Sequence, residues 1–115
     1  MPITKFEDLI AWQKAQALAS EIYAEFQLLK DFSFKDQICK AVVSISNNIA
    51  EGFDRASKAE FPRFLWYAQG SCSEVKSMLY LSERLALTSK ANIERLIQLV
   101  SEVSRLINGL IKSLR

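Results

Sequence analysis

The final stretch of the chain repeats an apolar pattern every seven residues. Ile93, Val100, Ile107 and Leu114 stand seven apart, with Leu96, Val103 and Leu110 between them. Ile97 and Ile111 widen the seam. This is the a/d pattern of a helix lying lengthwise against other helices. Gly109 lies off the seam and weakens the helix only modestly. A helix so patterned needs partners to cover its stripe, and the preceding sequence supplies three.

The first segment opens at Thr4-Lys5-Phe6-Glu7, which has capping-box spacing. Leu9, Trp12, Ala15, Ala19, Ile22, Phe26 and Leu29 follow at steps of three and four, the spacing of one buried helix stripe. The pattern stops near Lys30-Asp31-Phe32. Ser33 is placed to cap a second helix, whose apolar line is Ile38, Val42, Ile45, Ile49 and Phe53. Gly52 suits its end, since glycine takes the left-handed conformation cheaply.

After Asp54-Arg55-Ala56, a second capping box, Ser57-Lys58-Ala59-Glu60, introduces a third helix. It carries Phe61, Phe64, Leu65, Ala68, Cys72, Val75, Leu79, Ser82 and Ala86. Pro62 removes an amide donor, so either the helix begins near it or its first turn is bent. Leu87-Thr88-Ser89 links to the fourth. Four amphipathic helices with short connections predict an all-α, antiparallel up-down-up-down four-helix bundle. It would be one domain over residues 1–115.

Composition removes most catalytic chemistry. Histidine is absent, so histidine metal sites, Ser-His and Cys-His pairs and the usual neutral-pH proton shuttle are excluded. Cys39 and Cys72 form no CxxC, and two sulfurs without histidine make no structural zinc site within one chain. Both read as buried reduced thiols, and a disulfide requires the second and third helices to bring them together. Cys39 has no base to activate it, and Glu51 and Asp54 lack a partner that would tune an acid-base pair. The reading is therefore no enzyme, no cofactor and no metal. The longest charge-free runs, 41–50 and 64–73, fall short of the roughly 20 residues a membrane span takes. The N-terminus has no apolar signal core. A cytoplasmic protein without a membrane partner or an evident small-molecule substrate is expected.

Charge is near balance overall, at +2, but uneven. Residues 1–57 hold 6 basic and 8 acidic side chains, and residues 58–115 hold 9 and 5. Lys35 and Lys40 can join Arg55, Lys58 and Arg63 in a nucleic-acid surface around the second connection, with Trp66 and Tyr67 for stacking. Glu51, Asp54 and Glu60 lie in the same region and offset the field, so an ordinary charged helix face explains the same residues. Asn47, Asn48 and Glu51 suggest a polar network holding helices or subunits in register, or else a ligand or nucleic-acid role. Gly70, Ser73 and Ser77 fall on one face beside Trp66, where small side chains let another backbone come close. That face is either a subunit interface or the side of a helix buried within its own bundle.

The central residues carry a resemblance. Gln37-Ile38-Cys39-Lys40-Ala41 leads into Ser44-Ile45-Ser46-Asn47-Asn48-Ile49-Ala50-Glu51-Gly52-Phe53, and then Arg55, Ser57, Glu60, Phe64-Leu65, Ala68-Gln69-Gly70-Ser71 and Glu74. Together with Phe6-Glu7-Asp8-Leu9 and Trp12-Gln13-Lys14-Ala15, this resembles the bacterial family of 23S ribosomal RNA intervening-sequence proteins over nearly the whole chain. The resemblance implies an antiparallel four-helix bundle and a homo-oligomer, since relatives form pentameric rings. It implies no enzymatic activity. A distant branch serves as the nucleic-acid-binding accessory protein of diversity-generating retroelements, which makes RNA or DNA the alternative partner. Two positions depart from the family pattern. Cys39-Lys40 stands where two basic residues are often found, and Pro62 where a helix-friendly residue is usual. On this basis the expected role is an oligomeric scaffold or adaptor, with an RNA- or DNA-binding protein of the same fold as the alternative.

Overall fold

The computed structural model describes residues 2–55 and 57–115. Among them, one 3-10 turn, Phe6–Asp8, precedes four helices: α1 (Ile10–Phe26), α2 (Phe32–Asp54), α3 (Glu60–Arg84) and α4 (Lys90–Ser113). Each helix packs on the next in sequence, and α4 closes the ring against α1. Side-chain partners fix the direction of each pair. Along α1, Lys14, Glu21 and Glu25 meet Glu102, Arg95 and Asn92 in turn, so numbers rise on α1 as they fall on α4. Gln37 and Ser44 of α2 likewise reach Glu74 and Ser71 of α3. Between α1 and α2, Gln16 meets Ser46 and Phe26 meets Phe34, so the bundle is antiparallel throughout, and it measures 44 × 22 × 19 Å.

One continuous core runs along its axis. Ile38, Val42, Ile45 and Ile49 are buried, as are Ile93, Leu96, Val100, Val103, Ile107 and Ile111. Leu110 is half-buried and Leu114 is exposed, because the seam runs out with the helix. On α1 the stripe is wider than Leu9, Ala15, Ile22 and Phe26: Ala11 and Leu18 are buried too.

The helix starts differ from the expected caps. Thr4 closes no capping box. Its place is taken by the 3-10 turn, in which Leu9 N–H donates to the Phe6 carbonyl at 2.9 Å. The turn drives Leu9 into the core and sets the Phe6 ring edge-on against Trp12, with ring centres 5.2 Å apart. Asp31, not Ser33, caps α2, accepting from Phe34 N–H at 3.1 Å. Ser57 accepts from Ala59 N–H within a turn, and the Glu60 carboxylate pairs with Arg63 instead of reaching back. Pro62 sits in the first turn of α3, where an N–H would find no partner within the helix, so it is compatible with the start.

Two further positions are corrected. Gly52 lies inside α2, buried, and no described glycine has positive φ. Its value is space: a Cβ there would stand 2.5 Å from Phe64 Cβ of α3. Ala86 is not core. It is exposed, past the end of α3, with φ 55°. Leu87 N–H donates to the Ser82 carbonyl and Ala86 N–H to that of Glu83, a Schellman ending with alanine where glycine is usual.

Candidate functional site

The outward face of α3 is its most distinctive surface. Trp66 is 53% exposed, and Gly70, Ser73 and Ser77 are exposed with it. They recur at steps of four, three and four, so they lie in one line along the helix. Nothing lies within 4 Å of the position a Gly70 Cβ would take. Tyr67, Tyr80 and Leu81 flank the line and are about half exposed. The reading in which this face is buried within its own bundle is therefore excluded: its own helices leave it open.

The five basic candidates do not form one surface. Lys35 and Lys40 lie in the first half of α2, whereas Arg55, Lys58 and Arg63 surround the link from α2 to α3. At 1.5 Å per residue, Lys40 and Arg55 are about 22 Å apart along the helix. Arg55 pairs with Glu51 at 3.3 Å and its guanidinium stands 4.8 Å from the Phe64 ring centre. Arg63 pairs with Glu60 at 2.9 Å and lies over Phe64 and Tyr67. These two arginines thus lie over aromatic surface and share their charge with a neighbouring carboxylate, in exposed pairs that are individually weak. Lys35 donates to the Gln27 carbonyl at 3.4 Å and faces the Phe32 ring. Lys40 and Lys58 are exposed.

The polar residues of α2 separate in the same way. Asn48 donates to both the Ser44 carbonyl, at 2.8 Å, and the Ser44 hydroxyl, at 2.9 Å. Ser71 of α3 donates to that hydroxyl at 2.9 Å, so Asn48 is tied to the α2–α3 interface through Ser44. Asn47 faces outward, and Glu51 faces outward with Arg55. Other interfaces carry comparable clasps. Gln69 and Ser104 exchange two hydrogen bonds between α3 and α4, and Gln16 donates to Ser46 between α1 and α2. Thr88 and Asn92 both donate to the Glu25 carboxylate. Such side-chain pairs fix the axial register of neighbouring helices, which apolar packing alone specifies weakly.

The thiols face different neighbours. Cys39 is half-buried in a groove between α1 and α2 with Tyr23 and Lys35. Burial pushes its pKa up, opposed by the Lys35 charge and a hydrogen bond with Tyr23, while Asp36 adds to the rise. Cys72 is buried beside α4, and desolvation pushes it up to about 12. A protonated thiol is a poor nucleophile, so neither is activated at neutral pH. Among the described residues, no three His, Cys, Asp or Glu side chains gather to hold a metal. No described helix is long and apolar enough to cross a membrane.

These features define a class: an antiparallel four-helix bundle whose polar residues join helices and which leaves one helix side open. The sequence matches the 23S rRNA-intervening sequence protein family over residues 7–109, and the chain belongs to that family. A crystal structure of a protein from Bacteroides thetaiotaomicron is similar, with a TM-score of 0.84 and 25% identity. The likeness covers 90% of this chain and 99% of that one, which is described as a protein of unknown function from the S23 ribosomal protein family. No curated protein matches the chain.

Proposed function

We propose that this protein is a cytoplasmic, non-enzymatic scaffold or adaptor that self-associates through the outward face of α3. The observation that carries this reading is the open line of Trp66, Gly70, Ser73 and Ser77. Small residues spaced along one helix side admit a second helix at short range, and a flanking tryptophan supplies apolar area to bury. The family resemblance supports a homo-oligomer and, more narrowly, a ring of five. Sedimentation equilibrium tests it. A five-membered ring weighs about 65 kDa against 13.1 kDa for one chain. Gly70→Arg places a long charged side chain on the line and is expected to yield monomers with an unchanged helical spectrum. A wild-type protein that stays at 13.1 kDa at tens of micromolar overturns the proposal.

A second reading, RNA or DNA binding, is favoured by Lys35, Lys40 and Lys58, which have no carboxylate partner among the described residues. Arg55 and Arg63 contribute less, being paired. In a gel-shift titration, Lys40→Ala and Lys58→Ala should each weaken binding and flatten its salt dependence, more than Arg55→Ala does. No shift with structured RNA or duplex DNA at low salt removes this reading.

A further inference from the structure

A groove between α3 and α4 joins two cations and hydroxyls in one place, and only Ser73 of its lining belongs to the self-association line. It is lined by Cys72, Ser73 and Lys76 of α3 and by Val100, Ser101, Ser104 and Arg105 of α4, and encloses about 370 Å³. That is within the range of small-ligand clefts. Cys72 and Val100 make a buried apolar floor. Two cations stand over it, and no carboxylate lines the groove.

The acids nearest in sequence are engaged elsewhere. Glu102, beside Ser101, turns to Lys14 of α1 at 3.4 Å. Glu74, two residues before Lys76, accepts from Gln37 of α2 at 3.5 Å. Lys76 is half-buried, yet neither it nor Arg105 has an ion-pair partner among the described residues. An ammonium and a guanidinium on one groove, neither with a counter-charge, favour an anion that accepts hydrogen bonds from both. The hydroxyls complete the set. Ser104 spends its proton on Gln69, at 2.8 Å, whereas the Ser73 and Ser101 hydroxyls make no hydrogen bond among the described residues.

From this arrangement we infer that the α3–α4 groove binds the phosphate group of a small ligand. Lys76 and Arg105 supply charge, and Ser101 donates a hydrogen bond. A guanidinium matches two oxygens of such a group, and an ammonium takes a third as a point charge.

The test is a titration of the full chain with inorganic phosphate, pyrophosphate and a short single-stranded oligonucleotide, followed by amide NMR shifts. Sedimentation of the same samples separates loss of binding from loss of assembly. Phosphate or pyrophosphate should move the amides around Lys76, Ser101 and Arg105. The double variant Lys76→Gln/Arg105→Gln should weaken binding by about tenfold or more while the assembly is unchanged. No shifts up to tens of millimolar, or shifts unaffected by the double variant, overturn the inference. So does an oligonucleotide that binds through these residues while both inorganic anions stay silent, since the groove is then a track for a polymer backbone.

Discussion

Replacing Gly52 by alanine is expected to lower the stability of the bundle by about 2 kcal/mol, although alanine is the better helix former. The added Cβ would stand 2.5 Å from Phe64 Cβ and 3.2 Å from the Phe61 ring. Phe64 Cβ is fixed to the backbone of α3, so no rotamer change relieves the contact and the helices must part. With the contact fixed by backbone on both sides, the overpacking cost lies at the upper end of the usual range, about 3 kcal/mol, against a gain of about 1 kcal/mol in helix propensity. Gly109 is the control. It is helical, exposed and has nothing within 4 Å of its Cβ position. Gly109→Ala should therefore stabilise by about 0.5–1 kcal/mol. Thermal unfolding reads the two in opposite directions, with the Gly52 variant about 8 °C below wild type. A Gly52→Ala protein that melts higher would show that close approach is not what this glycine provides.

Ile45→Ala should cost more, about 3–4 kcal/mol. Ile45 is wholly buried midway along α2, held between neighbouring turns occupied by Val42 and Ile49. The removed methyl and methylene groups lose their transfer energy, and a rigid helix limits collapse into the cavity. Ile45→Val keeps most of the volume and should cost about 1 kcal/mol. Urea unfolding at unchanged slope gives both values. A loss below 1 kcal/mol for the alanine variant would mean that the four helices close around the gap.

The stripes of α2 and α4 were legible because isoleucine, leucine and valine mark a buried face strongly. Ala11 and Leu18 of α1 were not, since alanine tolerates either environment and Leu18 lies between the chosen steps. Thr4, Ser33 and Ser57 each mark a helix start in the sequence, yet several side chains near each start compete for the same free amides. Asp31 won at α2, and a 3-10 turn displaced the cap at α1. Gly52 shows that a glycine can be required by a residue of the next helix, here Phe64. Sequence order also joined Lys35 and Lys40 to Arg55, which helix rise alone would have kept apart. The Lys76–Arg105 groove had no signal in either segment separately. It follows from the register that Gln69 and Ser104 set between α3 and α4.

The open line on α3 also limits symmetry. If it meets the same line of a second copy, the contact is two-fold and closes at two chains, leaving nothing of itself to bind a third. A ring of five requires it to meet a different surface of the next copy, so that every chain uses two unlike patches. Here α3 lies diagonally opposite α1: both pack on α2 and α4, and not on each other. A self-complementary α3 contact leaves the α1 side of each bundle facing away from its partner. An odd-numbered ring must instead pair the line with a second, unlike patch of the next copy. An odd-numbered assembly thus shows that the α3 line meets an unlike surface, whereas a dimer is what self-contact gives.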